Sequence, residues 1–114
     1  MSTSSIVARI ETLTTAYLAA HEAAMTAMRA SRRVTAALDD SEASEDQYAE
    51  ARRVAGLPTA AEEGALFDAM DRARVALASA LRKSAKQLTG KSYGAASDVA
   101  IVEQWMRGRA KRAA

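Results

Sequence analysis

The residues able to do chemistry in this chain are few, and most are of one kind. There is one histidine, His21, and no cysteine, so His and Cys alone cannot assemble a zinc site, and thiol chemistry is absent. The acids near His21 lack the Glu-x-x-His pairing by which helical bundles hold paired metal ions. His21 therefore reads as a helix-surface histidine, and no metal or other cofactor is expected. Carboxylates pair at Asp39/Asp40, Glu62/Glu63 and Asp68/Asp71. The first pair falls in a loop. The other two fall in early helical turns, where negative charge complements the helix dipole. None has a reason to be buried, so general acid–base catalysis finds no support. Thr89-Gly90-Lys91-Ser92 resembles the end of a phosphate-binding loop, but the glycine required five positions before Gly90 is Ala85. A helix rather than a strand precedes it, so it reads as a helix cap. No catalytic residue and no small-molecule substrate are expected.

Arginine and lysine supply the chemistry that stands out. Twelve Arg and four Lys meet fourteen acids, for a net charge of +2. Arg29, Arg32 and Arg33 are spaced i, i+3, i+4. Arg82, Lys83 and Lys86 form a similar cluster, and Lys91, Arg107 and Arg109 extend the series toward Lys111 and Arg112. Guanidinium groups suit bidentate contacts to phosphate. No aromatic residues interleave with these clusters in the sequence, so the expected contact is to nucleic-acid backbone rather than to stacked bases. The predicted nucleic-acid-binding set is Arg29, Arg32, Arg33, Arg82, Lys83, Lys86, Lys91, Arg107 and Arg109. Ordinary solvated helix faces would produce the same spacing.

The charges are unevenly spread. Residues 72–114 carry ten Lys and Arg against Asp98 and Glu103, whereas 39–50 carry Asp39, Asp40, Glu42, Glu45, Asp46 and Glu50 and no base. This asymmetry points to a polyanionic partner for one part of the surface. The acidic run, through Asp39, Asp40, Glu42 and Glu45, is a candidate protein interface, or simply a solvated loop. Trp105, beside the basic C-terminal stretch, is either a core residue or an anchor on a partner. A helix-turn-helix over 46–75 is disfavoured, because Glu62, Glu63, Asp68 and Asp71 would lie at the leading end of its recognition helix.

The elements that position these groups are helices. From Ile6 the steps alternate four and three through Ile10, Leu13, Tyr17, Ala20, Ala24, Ala27, Ser31, Val34 and Leu38, placing all ten on one helical stripe. Leu18, Met25 and Met28 widen it, and Ser4 or Ser5 is expected to cap its start. Ser44 with Gln47, and Thr59 with Glu62, have capping-box spacing. Between them, Gly56-Leu57-Pro58 ends a short helix. A second long stripe runs Leu66, Met70, Ala73, Leu77, Leu81, Ser84, Leu88. Gly90 closes it, and Ser97 or Asp98 opens a last helix with Val99, Val102 and Met106 on one face and Ile101 and Trp105 beside it. The spacing predicts an all-α fold: an antiparallel helical bundle of two long helices, about 5–38 and 60–89, with short ones at about 44–55 and 97–107. Residues 1–107 form one domain, and 108–114 form a frayed basic tail.

Composition narrows the class further. Of 114 residues, 29 are Ala and five are aromatic, with one Pro and five Gly. An all-β sandwich or barrel needs far more aromatic, β-branched and turn residues. No apolar run approaches the ~20 residues that span a bilayer, and the N-terminus lacks a signal peptide's apolar run. The expectation is a cytoplasmic protein without a membrane partner. The mid-stripe positions are small, so part of each stripe is expected to be completed by another chain, including by self-association.

A small, all-helical chain with Arg/Lys patches on Ala-rich helices resembles the small helical subunits of multi-subunit (class 1) CRISPR effector complexes. The resemblance spans the whole chain and rests on no diagnostic motif, so it transfers no site. It implies several copies packed head to tail beside larger subunits of a ribonucleoprotein, with basic faces toward RNA or single-stranded DNA. The alternative expectation is a structural or adaptor bundle, such as a virion assembly component or chaperone, with protein-only partners.

Overall fold

A computed structural model of the chain describes residues 2–39 and 42–113, and all their regular structure is helical: α1 Thr3–Leu38, α2 Glu45–Val54, α3 Ala60–Thr89 and α4 Asp98–Ala113. The helix ends follow from local side-chain chemistry. Ser2, rather than Ser4 or Ser5, caps α1: its hydroxyl accepts from the Ser5 N–H at 3.2 Å, and its carbonyl accepts from the Ile6 N–H. Both capping boxes form. The Ser44 hydroxyl accepts from the Gln47 N–H, while the Gln47 side chain accepts from the Ser44 N–H. Thr59 and Glu62 do the same at 3.1 Å each way.

α2 closes in a Schellman motif. Leu57 N–H donates to the Arg52 carbonyl and Gly56 N–H to the Arg53 carbonyl, with Gly56 at φ +71°. At the end of α3, Gly90 at φ +74° donates to the Lys86 carbonyl. The loop-like Thr-Gly-Lys-Ser is thus a helix cap. Ser97 caps α4, accepting from the Ala100 N–H at 3.2 Å. Asp98 lies in the first turn.

α4 extends well past residue 107, so residues 108–113, expected as a frayed tail, belong to the helix. Two contacts hold the added turns: Arg109 pairs with Glu11 at 3.0 Å, and the Arg112 guanidinium lies over the Trp105 ring.

The chain's contacts sort into two compact units, Met1–Leu18 with Asp71–Ala114, and Ala19–Met70. The first unit buries more of the larger apolar side chains. Ile6, Ile10, Leu77, Ala78, Leu81, Ile101 and Val102 form its core, with Leu13, Tyr17, Tyr93, Ala96, Trp105 and Met106 packed against them. Thr14 is fully buried there; its hydroxyl donates to the Ile10 carbonyl at 2.7 Å and accepts from Trp105 Nε1 at 3.0 Å. Both polar needs of the buried hydroxyl are therefore met.

The buried face of α4 is centred on Ile101, Val102 and Trp105, which turns Val99 outward at 46% exposure. Leu18 and Leu88, expected on the apolar stripes, are likewise exposed. The second unit buries only Ala24, Ala27 and Met70 among its apolar residues, with Met25, Met28, Val34, Leu66 and Phe67 half-buried.

Candidate nucleic-acid interface

The two units carry opposite charge. The first holds eleven cations (Arg9, Arg72, Arg74, Arg82, Lys83, Lys86, Lys91, Arg107, Arg109, Lys111 and Arg112) against Glu11, Asp71, Asp98 and Glu103. The second holds Arg29, Arg32, Arg33, Arg52 and Arg53 against ten acids. We refer to them as the basic and the acidic unit.

Within the basic unit some cations are used internally. Arg82 bridges α3 to the start of α4, through Asp98 at 2.6 Å and the Ala96 carbonyl at 3.0 Å. Arg109 is engaged by Glu11, and Arg74 by Asp71 at 2.9 Å. Arg82 and Arg109, predicted as phosphate contacts, therefore have their guanidinium groups committed to fixing α4. Lys83, Lys86, Lys91 and Arg107, from the same predicted set, are exposed and make no ion pair with a described residue. Arg9, Arg72 and Lys111 are likewise exposed and make no ion pair with a described residue.

The predicted cluster Arg29, Arg32, Arg33 falls in the acidic unit instead. Arg29 pairs with Glu22 at 3.3 Å on an exposed face, a contact of small energetic weight. Arg32 and Arg33 are exposed and form no ion pair with a described residue. The sequence thus grouped as one basic series residues that belong to two units.

Of the predicted protein-interface residues, Asp39 accepts from the Tyr48 hydroxyl at 3.4 Å, and Glu42 and Glu45 are exposed. Asp40 lies outside the described residues. Trp105 packs against the core of the basic unit. It also forms part of the wall of a surface groove of about 550 Å³, beside Tyr93, Leu88 and Val7. Lys91 and Arg112 stand on this groove. A shallower depression shares Tyr93, Gln104, Trp105 and Arg112 with it and adds Arg107 and Lys111. The Arg112 guanidinium sits 4.9 Å from the Trp105 ring centroid, within cation–π range.

The sequence places Lys91 beside Tyr93 and Arg112 about two helical turns from Trp105, but gives no sign that the two pairs meet. Tyr93 lies in the α3–α4 linker, and Trp105 is about two turns along the C-terminal helix. Thr14 is polar and lies one position from Leu13, so its burial on α1 carries no mark in the sequence.

The acidic unit contains one built polar cluster. Arg52 on α2 donates to Ser31 on α1, to the Pro58 carbonyl at 2.7 Å and to Glu63 on α3 at 2.8 Å; Ser31 donates to Glu63 at 2.8 Å. The hydrogen bonds from Arg52 and then Ser31 hold the Glu63 carboxyl below its ordinary pKa. All the partners are satisfied by one another, which makes this a structural tie between three helices. Among the described residues, no three His, Asp or Glu side chains are grouped to hold a metal ion. No helix among the described residues is long and apolar enough to cross a membrane. No family model, curated protein or solved structure matches the chain.

Proposed function

We propose that this chain is a non-catalytic subunit of a cytoplasmic nucleoprotein complex, an antiparallel helical bundle that contacts the backbone of RNA or single-stranded DNA. The observation that carries the reading is the basic unit's surplus of exposed cations that pair with no described residue: Arg9, Arg72, Lys83, Lys86, Lys91, Arg107 and Lys111. Seven such groups on one small unit repel one another, and a polyanion relieves that repulsion while releasing its own counterions. The class-level resemblance to small subunits of CRISPR effector complexes supplies the proposed setting: several copies beside larger subunits. In that setting the acidic unit faces a basic surface on a neighbour, through Asp39, Asp40, Glu42 and Glu45.

The test is fluorescence anisotropy with labelled single-stranded RNA and DNA between about 50 and about 200 mM salt, where phosphate-driven binding drops steeply. The double reversal Lys83→Glu/Lys86→Glu is expected to weaken binding and flatten the salt slope by about one unit per lost phosphate contact. Failure to bind either strand at low salt overturns the proposal. The protein-only adaptor would then be the better account.

A further inference from the structure

The same basic unit holds a feature that backbone contact does not require. The groove of about 550 Å³ has apolar side chains, Val7 and Leu88, left exposed at 47% and 42%, and two of the chain's five aromatic residues, Tyr93 and Trp105. Lys91 and Arg112 stand on it, and Arg107 and Lys111 line the adjoining depression. The fold sets these aromatics and cations around one groove and its adjoining depression. Aromatic side chains among cations in an open groove are the arrangement by which single strands are held, bases on π-faces and phosphates on the rim.

We propose that this groove receives an unpaired base of a single-stranded nucleic acid, stacked at Tyr93 and Trp105, with the flanking phosphates on Lys91, Lys111 and Arg112. The proposal rests on the nucleic-acid reading above and specifies the strand form. A base inside a duplex cannot reach such a groove; an unpaired one can.

Arg112 has a definite part in this. In the free protein its guanidinium covers the Trp105 ring. That contact is an exposed cation–π pair, weaker than the stacking of a base on an aromatic ring. An entering base takes the ring face, and the freed guanidinium, on the exposed last turn of α4, turns to a phosphate. The exchange keeps both groups partnered. Glu11, the one acid on the groove, is already held by Arg109, so it presents a neutralised carboxylate to the strand.

The chain has one tryptophan, so its emission reports directly on the groove. The intact protein is titrated with a uridine dodecamer, a thymidine dodecamer and an abasic deoxyribose-phosphate dodecamer of equal charge. Trp105 emission and labelled-strand anisotropy are recorded together. One of the base-bearing strands is expected to quench Trp105 and to bind about fivefold or more tighter than the abasic strand. Tyr93→Ala is expected to erase that preference and Tyr93→Phe to keep it. Leu88→Ser, at a 42% exposed position on the groove wall, is expected to reduce it.

Equal binding of all three strands without quenching overturns the base pocket and leaves the backbone reading standing. Binding of none overturns both. A shift of Trp105 emission on raising protein concentration, with no strand present, would place a second copy in the groove and overturn the base pocket.

Discussion

The two units of this chain are built from the same kind of helix and differ in what their helices carry. The basic unit buries Ile6, Ile10, Leu77, Leu81, Ile101 and Val102, while the acidic unit buries Ala24, Ala27 and Met70. At about 25 cal/mol per Å² of apolar surface removed from water, an Ala-lined seam contributes a fraction of what Leu and Ile contribute. The acidic unit compensates with directional ties: two capping boxes, a Schellman turn, and the Arg52–Ser31–Glu63 cluster. The difference teaches where this protein can keep unpaired charge. The unit with the large apolar core carries the surplus of exposed cations, whereas the thin-cored unit relies on Arg52 to join its three helical segments.

Deleting apolar volume tests that contrast most severely. Leu77→Ala, at a fully buried position, is expected to destabilise by about 2–5 kcal/mol. The same truncation at half-buried Leu66 in the acidic unit is expected to cost about 1–2 kcal/mol, since less contact is lost. Urea denaturation of both variants gives the comparison, and equal losses would break it. Native-state hydrogen exchange is the companion measurement, with slower amides expected around Leu77 and Ile101 than around Ala24.

Next in size is the polar tie. Arg52→Met leaves Glu63, 22% exposed at the side chain, without its charged partner; a loss of about 1–3 kcal/mol is expected. Glu63→Gln supplies a pH signature. The folded Glu63 pKa is lowered by Arg52 and Ser31, so its contribution is complete above the unfolded value of about 4.3 and fades as pH falls through the folded value. The stability gap between wild type and Glu63→Gln is therefore expected at neutral pH and to shrink as pH falls below the unfolded value of about 4.3. A gap that widens on acidification would refute the assignment.

The smallest effect separates neighbours on α3. Arg82→Ala removes the Asp98 pair and the bond to the Ala96 carbonyl, and is expected to cost about 1 kcal/mol in thermal or urea unfolding. Lys83→Ala, exposed and unpaired, is expected to stay within about 0.5 kcal/mol of wild type. Strand binding is expected to rank them oppositely, with the larger loss at Lys83.

The sequence by itself determined the helices and most of their ends. Ser44–Gln47, Thr59–Glu62, Gly56 and Gly90 act on backbone groups within a turn or so of themselves, and such interactions are complete in the local chain. The ten-residue stripe from Ile6 to Leu38 was equally legible, and every one of its residues is at least partly buried. Tertiary structure alone decided which cations are spent and which are free. The spacing of Arg82, Lys83 and Lys86 gives no hint that the first turns to Asp98 and the others to solvent. It also decided that α4 continues through the basic stretch, that Thr14 is buried, and that Tyr93 and Trp105 share a groove with Lys91 and Arg112. The physical reason is distance along the chain. Trp105 meets Thr14 across 91 residues and Arg109 meets Glu11 across 98, and such pairings exist only once the helices have packed.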